Sequence, residues 1–226
     1  MEFNTMQKLH AAAVDGPGAE AHPVGGWAKR SLDLSVALAA LVMLLPLFIG
    51  VALLLRASGQ GPVLFCHKRI GRNGQRFGCY KFRTMALDGE AVLNRHLATS
   101  EAAAREWRET KKLKSDPRVT PIGAILRKTS VDELPQLINV LRGEMSLVGP
   151  RPIVDDEVGR YGAHISAYLR ARPGLTGAWQ ISGRNDVSYE ERVRLDADYV
   201  QNWSFGRDLV IIVRTIPAVL RAQGSY

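Results

Sequence analysis

Sulfur is scarce in this chain of 226 residues: Cys66 and Cys79 are its two cysteines, and they lack the spacing of a paired-cysteine metal site. A zinc ribbon and a disulfide-framed secreted scaffold are thereby excluded. The sulfur chemistry favours a reducing compartment, with both thiols expected as buried small apolar groups. Also missing are a glycine-rich loop ending in Gly-Lys-Ser/Thr, a dinucleotide-type glycine fingerprint, His-Glu-x-x-His and Gly-x-Ser-x-Gly. With them go the common nucleotide-cradling loops, the zinc-helix hydrolases and the serine nucleophile elbow. Negative charge is in deficit, with 22 Asp and Glu against 30 Lys and Arg, a formal charge of +8. That balance points to an anionic partner: nucleic acid, an acidic membrane face or phosphorylated substrates. The length allows one sizeable core and does not require a second domain.

What the chain does have is a long apolar run. Between Asp33 and Arg56 lies LSVALAALVMLLPLFIGVALLL, twenty-two residues without a charge. A straight helix of that length reaches ~33 Å, about one hydrocarbon thickness. Pro46 falls near its middle, Lys29 and Arg30 precede it and Arg56 follows it. Positive charge at both ends suits two cytoplasmic ends better than one. A break at Pro46 leaves two half-helices of about eleven residues, each reaching roughly half a bilayer. The residues alone leave a re-entrant hairpin and a kinked spanning helix evenly matched. A secretory signal fits less well, because the run is long and begins late. Residues 1–26, rich in Gly, Pro and Ala without a period, read as a disordered tail.

After the apolar run, GPVLFCHKRIGRNGQRFGCYKFRTM reads as a β-hairpin around Asn73-Gly74, the pair that a type I′ turn prefers. Strand alternation then puts Lys81 and Arg83 on one face and Tyr80 and Phe82 on the other. Residues 88–115 are polar and helix-prone, with Leu93, Leu97 and Trp107 as apolar remnants and Lys111, Lys112 and Lys114 at the end. That pattern suits a helix lying on a headgroup layer and equally a solvated one. Ser188 and Glu191 form a capping-box start for a C-terminal helix. The closing LVIIVRTIPAVL, interrupted by Arg214 and Pro217, is too short and broken to span and fits an interfacial or core helix.

The chemistry concentrates in LRKTSVDELPQLINVLRGEMSLVGPRP, residues 126–152. Asp132 and Glu133 are adjacent. Either Ser130 or Asp132 serves as the N-cap of the helix that follows, with Pro135 in its first turns. A cap alone accounts for both acids. Yet a helix N-terminus also keeps an aspartate ionised and supports a phosphoryl group attached to it, and aspartate is a known covalent phosphoryl acceptor. Two vicinal carboxylates can share a Mg2+ that also grips substrate phosphates. Pro150 and Pro152 hold Arg151 between them, as bidentate phosphate binding favours. The turn-rich RPGLTGAWQISGRND, residues 172–186, is placed to close the same pocket.

Taken in succession, these segments resemble the monotopic phosphoglycosyl transferases, the bacterial sugar transferase family. The likeness runs from Lys29-Arg30-Ser31-Leu32-Asp33 through KFRTM, DPRVTPIGAILRKTSVDELPQLINVLRGEMSLVGPRP and RPGLTGAWQISGRND to the C-terminus. It is greatest to single-domain undecaprenyl-phosphate galactose phosphotransferases of exopolysaccharide synthesis. The resemblance implies that Asp132 is the nucleophile taking a sugar phosphate from a UDP-sugar with loss of UMP. It implies that Glu133 assists as base or in positioning, that Lys81, Arg83, Arg127 and Arg151 hold phosphates, and that Mg2+ is bound at Asp132 and Glu133. It implies a re-entrant helix broken at Pro46, although Leu45 stands where many members have Ser.

The expected architecture is therefore α+β and mainly helical: a disordered tail (1–26), a re-entrant helix hairpin (27–57) and a cytoplasmic, membrane-associated catalytic domain (58–226) with a small β-hairpin and interfacial amphipathic helices. Expected partners are a UDP-sugar, undecaprenyl phosphate and inner-membrane lipids at the cytoplasmic face, and no nucleic acid. A homodimer is one option for the assembly. Galactose is favoured as the sugar, glucose next and N-acetylated hexoses after them. Competing readings of the same acids are a metal-dependent phosphohydrolase and a catalytically silent membrane adaptor.

Overall fold

The computed structural model of the chain describes residues 23–59, 61–110, 113, 115–182 and 187–220. Most of the expected tail lies outside them, as do Lys111, Lys112, Lys114 and residues 183–186 of the turn-rich segment. The described part is mainly helical, with two small sheets of two strands each.

The apolar run forms two helices, α1 (Gly26–Met43) and α2 (Leu45–Ala57), bent by 60°. No single helix among the described residues is long and apolar enough to cross a membrane, whereas this pair passes by length and composition together. The break falls at Leu44 (φ −90°, ψ 4°), not at Pro46, and the pieces are 18 and 13 residues long rather than equal halves. Pro46 stands in the first turn of α2, where its missing N–H would be unsatisfied anyway, and its ring clashes one turn back, at the end of α1. With Leu45 in place of a hydroxyl side chain, backbone bonds alone close the junction: Leu44 N donates to Ala40 O (2.8 Å) and Phe48 N to Leu44 O (2.9 Å).

β1 (Leu64–Ile70) and β2 (Arg76–Phe82) form the antiparallel hairpin. Asn73 (φ 55°) and Gly74 (φ 75°) supply the two positive φ values of the tight turn, and Gln75 N donates to Arg72 O at 3.2 Å. Gly71 is an extra residue on the β1 side, its N–H donating to Gln75 O at 2.7 Å. The strands therefore pair Phe65 with Lys81 and His67 with Cys79. A ladder without that residue would set Cys66 opposite Lys81 and turn the other face of β1 toward it. The shift leaves Cys66 exposed, contrary to expectation. Cys79 is buried, and burial pushes its thiol up to about 11.

Next come α3 (Gly89–Thr99) and α4 (Glu101–Thr110), broken at Ser100, which close a small cluster of their own around Leu93, Ala103 and Leu113. α5 (Pro121–Lys128) is capped by Thr120, whose Oγ1 accepts from Gly123 N at 2.9 Å. A Cβ at Gly123 would lie 2.0 Å from Thr84 O, so only glycine lets α5 rest on the strand that leaves the hairpin. α6 (Gln136–Arg142) leads into β3 (Ser146–Val148), which pairs in parallel with β4 (Gly174–Thr176). Short helices α7 (Val158–Tyr161), α8 (Ile165–Arg170) and α9 (Ala178–Ile181) precede the long α10 (Tyr189–Gln201) and α11 (Phe205–Leu220). α10 starts as expected, with Ser188 Oγ accepting from Glu191 N at 3.2 Å. α11 continues through Pro217 instead of stopping there, burying Ile211 and exposing Phe205, Leu209, Val213 and Ile216.

Charged residues fasten α1 to this core. Lys29 is 6% exposed and Asp208 on α11 is 0% exposed; Lys29 Nζ meets Asp208 Oδ2 at 2.6 Å and donates to Tyr199 OH at 3.1 Å. Asp208 also accepts from Tyr199 OH and Trp203 Nε1. Arg30 donates to the carbonyls of Val140 and Leu141 at the end of α6, and Asp33 Oδ1 accepts from Ser146 Oγ and Leu147 N on β3. Removing one partner of a buried ion pair strands the other charge, so Lys29→Met should cost about 3 kcal/mol. Thermal unfolding of the detergent-solubilised protein should show a clear drop for K29M that K29M/D208N largely restores; a K29M transition equal to wild type would exclude this pair as a fastening.

Candidate active site

A cavity of 1210 Å³ opens between the hairpin, α5, the loop around Asp132, β3–β4 and α11. All six residues singled out from the sequence line it: Lys81, Arg83, Arg127, Asp132, Glu133 and Arg151. The hairpin contributes through its register, since Phe65, His67, Arg69, Cys79 and Lys81 share the face that lines the cavity.

The acids do not sit on a capped helix. Ser130 takes a left-handed conformation (φ 57°), Val131–Glu133 form a single 3-10 turn, and neither Ser130 nor Asp132 caps α6, which begins after Pro135. Pro135 lacks the N–H to extend the preceding turn, so turn and helix are separate pieces. Asn139, fully buried on α6, ties this segment to the hairpin: its Oδ1 accepts from Tyr80 N and its Nδ2 donates to Gly78 O. Lys81, next along β2, is thereby set against the acids.

The environment separates the two carboxyls. Asp132 is 7% exposed; burial first, then repulsion by Glu133, pushes it up to about 6 against the pull of Lys81 and Arg127. Burial raises Glu133 too, but the charge and hydrogen bond of Lys81, with Arg151 and Arg69, outweigh it and hold Glu133 below the usual carboxylate range. Around neutrality Glu133 is ionised and paired, while Asp132 is ionised without a direct cation contact. Such a pair, pushed apart by its surroundings, is how adjacent carboxyls take different roles.

The cations differ in how they are held. Arg127 Nε donates to Thr84 Oγ1 at 3.0 Å. Arg83 Nη2 donates to Leu55 O at 2.9 Å, so this residue also tethers the end of α2 to the hairpin. Arg151 lies with its guanidinium 5.6 Å from the centre of the Trp179 ring. Gly174, Thr176 and Trp179 of the turn-rich segment line the cavity, as expected for a closing element. An apolar wall faces these groups, built by Val36 of α1, Leu87, and Ile212 and Ile216 of α11.

Sequence reasoning missed Arg69 and His67 on the hairpin, and also Thr84. The first two follow from the strand register, which the Asn73-Gly74 signal alone gives wrongly by one residue. Among the described residues no group of three or more His, Cys, Asp or Glu side chains gathers to hold a metal. Asp132 and Glu133 supply two carboxylates of the kind Mg2+ takes when phosphates and water complete its shell, with Glu133 engaged by Lys81 in this structure.

The chain matches the bacterial sugar transferase family over residues 24–222, and it belongs to that family as a phosphoglycosyl transferase. It is 56% identical over 204 residues to the exopolysaccharide production protein ExoY of Sinorhizobium fredii, covering 90% of each chain. It is 48% identical over 198 residues to the undecaprenyl-phosphate galactose phosphotransferase of Salmonella typhimurium, spanning 88% of this chain and 41% of that one. With the UDP-glucose:undecaprenyl-phosphate glucose-1-phosphate transferase of Caulobacter vibrioides it shares 40% over 208 residues, 88% of this chain and 72% of that one.

If Asp132 acts as the carboxylate, donor cleavage should fail as pH drops through about 6, where Asp132 gains its proton. Glu133→Gln removes the repulsion and should move that midpoint down. Lys81→Met removes the attraction and should move it up. Rate profiles with identical midpoints in all three proteins would assign the titration to another group.

Proposed function

We propose that the protein moves a hexose-1-phosphate from a UDP-sugar to undecaprenyl phosphate, releasing UMP, as the first membrane step of exopolysaccharide synthesis. One observation carries the reading: a buried aspartate, adjacent to a second acid, shares a cavity with four phosphate-suited cations and an apolar wall. A carboxylate oxygen of Asp132 attacks the sugar-bearing phosphorus, the bond from that phosphorus to the bridging oxygen breaks, and UMP leaves with the electron pair. An oxygen of undecaprenyl phosphate then attacks the same phosphorus, and the aspartyl bond breaks to regenerate Asp132. Lys81, Arg83, Arg127 and Arg151 hold the phosphates of the two substrates in turn. Glu133, paired with Lys81, is poorly suited as a base and fits a positioning role. Mg2+ held by Asp132 and Glu133 would neutralise phosphate charge in the donor.

Galactose is the favoured sugar. Relatives named for UDP-galactose, galactose and galactosyl transfer share 50%, 48% and 42% identity with this chain, against 40% and 39% for two named for glucose.

The re-entrant reading of α1–α2 draws support from where their ends are held. Lys29 and Arg30 dock the start of α1, and Arg83 and the buried Leu55 dock the end of α2, on one domain. The pair then enters and leaves the same leaflet, with the catalytic domain on the cytoplasmic side where UDP-sugars are found.

Intact-protein mass spectrometry tests the chemistry. UDP-galactose alone should add one sugar phosphate to wild type and none to Asp132→Asn, and an adduct kept by D132N would remove Asp132 from this role. UMP release on turnover should need undecaprenyl phosphate and stop in EDTA until magnesium is restored. Hydrolysis without lipid would favour a phosphohydrolase, and no turnover of any UDP-sugar an adaptor. For topology, single cysteines at Ala21 and Ser225, in a protein with Cys66 and Cys79 changed to Ser, should both resist an impermeant maleimide in intact spheroplasts. Labelling of the Ala21 variant alone would mean that the segment spans.

A further inference from the structure

The backbone around Arg151 is held at every amide. Gly149 N donates to Thr176 O at 2.9 Å and Ile153 N to Tyr168 OH at 3.2 Å. Pro150 and Pro152 have no N–H, so Arg151 provides the one remaining amide of the loop. Its acceptor is Asp196 Oδ2 at 3.3 Å, reaching in from α10. Asp196 is 2% exposed and, among the described residues, makes no ion pair; its Oδ2 also accepts from Tyr161 OH at 3.0 Å, and its buried Oδ1 finds no hydrogen-bond partner among them. Burial pushes this carboxyl up to about 7, and Arg151 is the charge that draws it back down. Keeping a carboxylate out of water with one oxygen unpartnered carries a desolvation cost that two hydrogen bonds from neutral donors offset only in part. Folding stability is therefore a poor reason for an aspartate here.

We propose that Asp196 is a positioning residue for the transfer reaction, fixing the backbone of Arg151 so that its guanidinium meets the donor phosphate. The inference rests on the reading of Arg151 as a phosphate ligand. Two contacts define that side chain: Asp196 sets the direction in which it leaves the loop, and the Trp179 ring, which Arg192 also approaches at 4.7 Å, supports its tip. Without the first, the Pro150–Arg151 peptide is held through its carbonyl alone, which accepts from Gly174 N at 2.8 Å, and the amide side is left to tilt; a displacement of about 1 Å at a positioning group can cost ~10²-fold in rate. Trp179 alone does not restore the direction, because it touches only the far end.

The test is a mutant cycle on the full chain, measuring kcat/KM for UDP-galactose, adduct formation and thermal unfolding. Asp196→Leu fills the space without an acceptor; it strands the Tyr161 hydroxyl and the Arg151 amide and should unfold somewhat lower than wild type, and at a temperature where both are fully folded it should lose about tenfold or more in kcat/KM. Asp196→Asn, which keeps an acceptor for the Arg151 amide, should recover to within about threefold, and Tyr161→Phe should stay within the same range. On an Arg151→Ala background, D196L should add less than about twofold, because the residue it acts through is already gone. A full additional loss in that background, or D196N as poor as D196L, overturns the positioning role. If R151A leaves donor kinetics unchanged, the phosphate-ligand reading fails first and this inference falls with it. Should Leu prove too large, Asp196→Val, smaller and equally apolar, runs in the same cycle with the same expected outcomes.

Discussion

Three charged residues at the base of an otherwise apolar helix must find partners out of water, and the structure is arranged around that demand. Lys29, Arg30 and Asp33 each meet groups of the rest of the chain: an ion pair with Asp208, the last carbonyls of α6, and the Ser146 hydroxyl with the Leu147 amide. A buried charge left unmatched costs several kcal/mol, so α1 has one seating on the domain and not a range of them. α6 is the helix that follows the two acids, and β3 leads directly into Arg151. The apolar helix and the reacting groups are thus built on one framework, and Val36 of α1 forms part of the cavity wall.

Within that framework the site works by dividing charge. Lys81 is close enough to one acid to pair with it and near enough to the other to attract it. Pairing keeps Glu133 ionised, and burial first, then the charge of that Glu133, raises Asp132 toward neutrality. The result is a carboxyl raised to about 6 beside one held ionised by Lys81, two neighbours of the same chemistry with different charge behaviour. Arg127 is meanwhile held at its side chain by Thr84, and Arg151 at its backbone amide by Asp196.

Much of this was legible in the residues alone. An uncharged run with a proline, an Asn-Gly between β-prone segments, adjacent acids before a proline and an arginine between prolines are local signals, because each depends on side chains a few positions apart. They led to the helix pair, the hairpin, the two acids and Arg151 from short stretches alone, whereas Arg127, and the phosphate role of Lys81 and Arg83, came from the resemblance that runs along the whole chain. Lys29 and Arg30, by contrast, read as charges flanking a membrane segment, and only packing assigns them to Asp208 and to α6. The same holds for Asp196, which sits in an ordinary amphipathic helix and has meaning only through a partner forty-five positions away.

The strand register shows most plainly where local information ends. Asn73-Gly74 determined that the chain turns back on itself, since both residues tolerate positive φ. It did not determine which face of β1 meets Lys81, because one extra residue, Gly71, reverses every side chain on the strand. The break at Leu44 rather than Pro46 is a similar case: the proline dictates that a helix must start, and the clash with the turn before it decides where the earlier one stops. Composition and short-range pattern determined which groups the protein has and roughly what they are for. Burial and long-range contact, which depend on where distant segments come to lie, decided that Asp132 and not Glu133 carries the raised pKa, and which arginines are held ready to meet it.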